Sequence, residues 1–246
     1  MRTVRIHVEQ PLTPGVELAL PAQAAAHVVR VLRLHAGDPV VLFNGDGNDY
    51  ASELVETTAR AVRVRIIDAR VVGNESPLRI TLAQALARGE KMDWIIQKAT
   101  ELGATAIVPL FTERSEVRLD GARADKRLAH WRAVAIGACE QCGRARVPGI
   151  TAPLPLDAWL ATLPQAKTET RLALLPEGEL GARALEHPGT EIRLAVGPEG
   201  GFASKDIAAL RADGFRGLSL GPRVLRTETA GTAALAALQA IYGDAG

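Results

Sequence analysis

The chain has 246 residues, of which 47% are hydrophobic and only 4% aromatic, and its 29 basic side chains face 28 acidic ones for a net charge of +1. A chain of this length buries a substantial aliphatic core as one large α/β domain or two smaller ones, and its global charge gives no sign of a nucleic-acid partner. No stretch approaches the roughly eighteen consecutive apolar residues of a spanning helix, and Met1-Arg2-Thr3-Val4-Arg5-Ile6-His7 lacks the apolar run of a signal peptide, so a cytoplasmic protein without membrane contact is expected.

The first 72 residues read as short strands. Thr3 to Val8, Tyr50 to Glu56 and Val62 to Ile67 alternate, and Val40 to Phe43 is an apolar run; turns fall at Gly37-Asp38-Pro39 and at Asn44-Gly45-Asp46-Gly47-Asn48. One helix is predicted over Ala22 to Leu34, with Ala25, Val28, Val29 and Leu32 on its apolar stripe and His27, Arg30 and Arg33 on another face. Several strands and one helix in this length predict a small β-barrel. On composition alone, Arg30 and Arg33 read as a solvated helix face.

Residues 73–78 form a polar, Gly- and Pro-punctuated linker, after which the pattern becomes strand–helix. Strands are expected at Arg79 to Leu86, Thr105 to Leu110, near Val147, Arg171 to Leu175, Ile192 to Val196 and Phe215 to Leu220. Helices are expected at Glu90 to Leu102, Ala124 to Cys142, Leu156 to Leu163, Leu180 to Glu186 and Thr229 to Tyr242. This alternation predicts a second domain over 79–246, with a mostly parallel sheet covered on both faces. Residues 79–150 carry twelve basic and eight acidic side chains, a local excess that permits an RNA surface. Cys139 and Cys142 form a C-x-x-C; a zinc site lacks its other two cysteines and a redox site lacks its βαβ setting, so two helix-packing cysteines are the simpler account. The histidines, His7, His27, His35, His130 and His187, are scattered, and no metal is assigned.

Two glycine turns stand at strand C-terminal ends: Gly197-Pro198-Glu199-Gly200-Gly201-Phe202, and Leu220-Gly221-Pro222-Arg223-Val224-Leu225-Arg226-Thr227-Glu228-Thr229-Ala230. Ligands bind at that edge of open α/β sheets, because glycine lets backbone N–H groups approach and helix N-termini add favourable dipoles. Neither a dinucleotide fingerprint nor a P-loop is present. The strings GPEGGF and LGPRVLRTETA resemble the two C-terminal signature loops of the SPOUT methyltransferases, specifically of the RsmE family. KMDWIIQKATELG (91–103), ERSEV (113–117) and EQCGR (140–144) agree in order, so the resemblance spans the whole chain.

The resemblance implies a PUA-like RNA-binding β-barrel followed by a SPOUT-type parallel sheet with a C-terminal trefoil knot, working as a homodimer. It implies methylation of N3 of a uridine in 16S ribosomal RNA of the small ribosomal subunit, with S-adenosylmethionine (SAM) as cofactor and no metal. Three loops would then converge on the cofactor: Leu174, Leu175 and Glu177 from one, Gly197, Pro198, Glu199 and Gly200 from the next, and Leu220, Gly221, Leu225, Arg226 and Thr227 from the last. Arg226 would hold the uracil oxygens or a phosphate and Glu228 would orient it or take the proton, with the roles open to exchange; the alternative is that residues 226–228 simply cap the final helix. His27, Arg30 and Arg33 of the barrel, with Arg114, Ser115, Arg118 and Arg144, would face RNA, although Glu113 and Glu116 offer the arginines beside them ordinary ion pairs. Two rivals remain at this stage: a non-catalytic RNA-binding protein, and an α/β enzyme that holds a nucleotide phosphate at Gly197 to Gly201.

Overall fold

A computed structural model describes residues 4–58, 61–164, 168–186 and 188–246, which leaves Thr3 and His187 outside the described residues. The chain divides into two compact units: Met1–Glu75 with Cys139–Val147, and Ser76–Ala138 with Pro148–Gly246. The contact boundary at 75/76 lies within the linker read from the sequence. The return of 139–147 to the first unit has no counterpart in that reading.

The first unit contains β1 (Val4–His7), β2 (Glu17–Ala19), α1 (Ala22–Ala26), β3 (Pro39–Phe43), β4 (Asn48–Thr57) and β5 (Val62–Val71). They form one five-stranded sheet in the order β1-β3-β4-β5-β2, with β1 and β3 parallel and every other pair antiparallel. Alternation works as expected: Val62, Val64 and Ile66 are buried while Arg63 and Arg65 point to water, so one face packs with Ile6, Leu42, Leu54 and Val28. β2 escaped the sequence reading because three residues are too few to show a period. The predicted helix from Ala22 changes at His27 into a wider π-helical turn, His27–Leu32, and stops at Arg33 in the left-handed conformation, φ 53°.

Residues 139–147 complete this unit. Cys139 and Ala145 are buried against Phe43. The His7 N–H donates to Glu140 Oε1 at 3.0 Å, and the Gly47 N–H donates to the Ala145 carbonyl at 3.3 Å. Burial pushes the Cys139 thiol up to about 12, so it packs as a small apolar group and does not act as a nucleophile.

In the second unit the sequence alternates strand and helix: β6 (Arg79–Ala85), α2 (Lys91–Glu101), β7 (Ala106–Phe111), α3 (Gly121–Cys142, whose last turn belongs to the first unit), β8 (Gly149–Ile150), β9 (Leu154–Pro155), α4 (Leu156–Leu160), β10 (Thr170–Leu174), β11 (Leu180–Gly181), β12 (Glu191–Val196), α5 (Ser204–Ala212), β13 (Arg216–Ser219) and α6 (Thr227–Tyr242). The sheet order is β11-β13-β10-β12-β6-β7-β8, with β9 also on β7, and every pairing is parallel. Its central strands are apolar without alternation, since both faces are covered: Ile80, Leu82, Ala83, Ile192, Leu194 and Ala195 are fully buried. The helix expected at Leu180 to Glu186 does not form. Leu180 instead pairs with Leu218 and only a 3₁₀ turn, Ala182–Ala184, follows, because Gly181 and Pro188 bound a stretch too short for a stable α-helix. Among the described residues no helix is long and apolar enough to cross a membrane.

Candidate active site

Adjacent strands β13, β10 and β12 run parallel, so the loops that leave their C-terminal ends meet at one edge of the sheet. The loop after β10 folds back on β13: the Leu175 N–H donates to the Leu218 carbonyl at 3.1 Å, and a Cβ on Gly178 would lie 2.6 Å from the Leu218 carbonyl carbon. The loop after β12 closes on itself through Gly201 N–H to the Pro198 carbonyl at 2.8 Å, and a Cβ on Gly197 would lie 2.9 Å from the Phe202 nitrogen. Glycine at 197 is thus required by the loop's own backbone, not by a positive φ.

Between the loops lies a cavity of about 280 Å³. Of the residues expected there, Leu174, Leu175, Gly197, Pro198, Glu199, Gly200, Leu220, Gly221, Leu225 and Thr227 line it. Glu177 and Arg226 are not among the lining residues, and both are exposed. The sequence reading missed the apolar wall made by Val196, Phe202, Ile207 and Leu218. The N-terminus of α5 is already met by a carboxylate of its own first turn: Asp206 accepts the Ala203 N–H at 3.0 Å and a longer bond from the Glu113 N–H at 3.4 Å.

Thr227 is buried and does not cap α6. Its hydroxyl donates to the Gly197 carbonyl at 2.6 Å and accepts from Gln84 Nε2 at 2.9 Å, so it ties two of the three loops to the end of β6. Gln84 is fully buried, and its second N–H donates to the Ala85 carbonyl at 3.0 Å. A signal for it existed: a lone amide at the end of the apolar run Leu82-Ala83 is costly to bury unless it has a partner to hold.

The sequence alone assigns Lys91 no role. Its ammonium lies 2.9 Å from Glu199 Oε1 and 3.6 Å from Glu228 Oε2. Burial pushes the Glu199 carboxyl up, but the Lys91 ammonium and the Arg88 N–H outweigh it and hold Glu199 below its ordinary range. The Glu199 hydrogen bond raises Lys91 above the usual lysine value, so Lys91 and Glu199 face each other as a charged pair at neutral pH. Arg226 stands at the N-cap of α6 with no side-chain capping bond, so the simple capping alternative applies neither to Arg226 nor to Thr227.

The arginines expected on RNA divide. His27 and Arg30 on the π-helical turn of the first unit, and Arg33 just after it, are exposed. Arg114 lines the cavity and donates from Nη1 to the Gly200 carbonyl at 2.9 Å, while Ser115 closes a turn with Thr112. Arg118 is exposed. Arg144 is corrected: it is 4% exposed and paired with Glu75 at 2.7 Å, and its carbonyl accepts from Arg5 Nη2 at 3.0 Å, so its guanidinium is part of the first unit's interior and is not offered to a polyanion. Among the histidines, His130 does have a carboxylate partner, Asp93, at 2.7 Å. Among the described residues no three His, Cys, Asp or Glu side chains are grouped to hold a metal ion.

Two family profiles match the chain: one described as RNA methyltransferase domain over residues 74–239, and one described as RNA methyltransferase PUA domain over residues 20–67. A curated relative from Buchnera aphidicola, Ribosomal RNA small subunit methyltransferase E, is 33% identical over 99% of this chain and 98% of its own. A protein of the same name from Bacillus subtilis is 30% identical over 94% and 92%. The solved structure of that enzyme from Neisseria gonorrhoeae, bound to SAM, superposes with a TM-score of 0.94 at 37% identity and covers 99% of both chains. A methyltransferase structure from Legionella pneumophila with bound SAM superposes with a TM-score of 0.94 at 41% identity, covering 99% of this chain and all of that one.

Proposed function

From its membership of the ribosomal RNA small subunit methyltransferase E family, to which this chain belongs, we propose that it transfers the methyl group of SAM to N3 of one uridine in 16S ribosomal RNA. The observation that carries this reading is the cavity at the meeting of three strand-end loops, with Arg226 and Glu228 adjoining its lining residues Leu225 and Thr227 in the chain. The residues present fit the cofactor. Leu174, Leu175, Leu220 and Leu225 offer apolar contact to a flat adenine, and the surrounding backbone of glycine loops offers N–H and C=O groups to read its edge.

SAM supplies an electrophilic methyl carbon. What the chain must supply is position and a place for the N3 proton, because in-line displacement needs little else. The Glu228 side chain keeps 18% exposure at the start of α6. It takes the proton as the N3–H bond breaks; the N3 electron pair then bonds the methyl carbon while the C–S pair returns to sulfur. Arg226, exposed two residues earlier, holds the uracil oxygens on which negative charge develops.

The finer architecture belongs to the same proposal. A trefoil knot is supported by the position of β13, which pairs with β10 although β12 lies between them in sequence. A homodimer is supported by apolar side chains left exposed on the second unit, Trp94 at 41% and Val224 at 82%. The β-sheet unit, through His27, Arg30 and Arg33, docks the RNA in the cytoplasm. Labelled methyl from SAM is expected on small-subunit RNA, at a nucleotide that blocks reverse transcription because N3 methylation removes a Watson–Crick edge. A labelled base that still pairs normally would exclude N3 of uridine. Sedimentation is expected to show a dimer at micromolar concentration, and a monomer there would remove the dimer from this reading.

A further inference from the structure

We infer that Lys91 is a positioning residue for methyl transfer, holding the Glu228 carboxylate in place from an anchor on Glu199. The inference rests on the reading of Glu228 as the group that takes the uridine proton. Three separate elements meet at this ammonium: Lys91 opens α2, Glu199 belongs to the loop after β12, and Glu228 lies in the first turn of α6.

The two contacts differ in kind. At 2.9 Å the bond to Glu199 is a charge-assisted hydrogen bond, and Glu199 is held a second time by the Arg88 N–H at 3.1 Å. At 3.6 Å the contact with Glu228 Oε2 is an ion pair without a hydrogen bond. Glu228 Oε2 is shielded from solvent and makes no hydrogen bond among the described residues, so the 18% exposure of that side chain lies elsewhere on it. A buried carboxylate oxygen without a donor is unfavourable, and the Lys91 charge is what the structure places opposite it. The cation fixes the inward oxygen and thereby the direction in which the rest of the carboxylate faces.

Of the other cations nearby, the Arg88 guanidinium pairs with Glu116 and Arg226 is exposed. The Lys91 side chain is 33% exposed, so screening by water makes its value one of geometry more than of Coulomb energy. A residue with this job acts on turnover and leaves both ligands' affinities nearly alone. It also has no work to do once the carboxylate it aims is gone.

The test is a double-mutant cycle on the full chain, read as single-turnover methyl transfer with enzyme in excess. Lys91→Met is expected to slow transfer about 10- to 100-fold, within the range of a misaligned general base, with cofactor affinity by calorimetry and RNA affinity within about 3-fold of the parent. Lys91→Arg should restore most of the rate. In a Glu228→Gln background, Lys91→Met should cost less than about 3-fold further, since the two act as a unit. Equal losses in both backgrounds would overturn the inference in favour of a general structural role, and a raised RNA KM at unchanged rate would do so in favour of a phosphate contact. If the parent transfers methyl and Lys91→Met keeps its rate, only the Lys91 inference falls; if the parent transfers none to small-subunit RNA, the methyltransferase reading falls and takes Lys91 with it.

Discussion

Arg226→Ala is expected to lower the single-turnover rate of methyl transfer by about 100- to 1,000-fold, the cost of removing one donor aimed at developing charge. Its side chain is exposed and does not line the cavity, so cofactor affinity should not change, and RNA affinity, spread over many phosphate contacts, should fall little. The loss should therefore appear in rate and not in KM, the mark of an interaction made only in the transition state. Glu228→Gln keeps the shape of the side chain and removes its basicity, so it should lose about as much. If Arg226→Ala instead weakened RNA binding and left the bound rate intact, Arg226 would be a phosphate contact and the charge-stabilising role would pass elsewhere.

Gly197→Val is expected to abolish measurable cofactor binding, a loss of at least about 100-fold in Kd or about 2.7 kcal/mol. Any Cβ there meets the Phe202 nitrogen at 2.9 Å and the Gly201 carbonyl carbon at 3.2 Å, both main-chain atoms that cannot step aside as a flexible side chain does. The turn must open, and the Gly197 carbonyl that Thr227 holds at 2.6 Å moves with it. Some stability is lost as well, about 1–3 kcal/mol for an overpacked site, but the sheet beneath should stay folded by circular dichroism. Gly200→Ala is the informative contrast, because a methyl there meets only the Arg114 side chain at an ordinary 3.6 Å. Calorimetry showing parental affinity in Gly197→Val would mean that this loop does not shape the cavity.

How much of this was legible in the sequence follows from the range of each signal. Local periods were readable: alternation located β4 and β5, continuous apolar runs located β6 and β12, and Gly103 marked the end of α2 with φ +79°. Glycine loops at strand ends located most of the cavity wall. What the sequence could not show depends on partners far along the chain. Thr227 reads as a helix cap from its neighbours, and only the Gly197 carbonyl with Gln84, 143 positions away, turns it into a bridge from two loops to β6. Arg144 reads as a surface cation until Glu75 and Arg5 are seen around it. Lys91 carries no local signal of a role, since both carboxylates it meets arrive from more than a hundred residues later.

The return of residues 139–147 to the first unit has a consequence during synthesis. When Glu75 has been made, the β-sheet unit still lacks Cys139 and Ala145, against which Phe43 is buried, and the Glu140 carboxylate that accepts the His7 N–H. Those residues come up to 72 positions later, as 147 minus 75 gives, which at translation rates of 5–20 residues per second is roughly 4 to 14 s. For that interval the nascent N-terminal segment carries an open apolar edge at Phe43 and an unpartnered Glu75. The unit that reads as an independent leading module is therefore completed late, by the same stretch of chain that finishes the long helix α3.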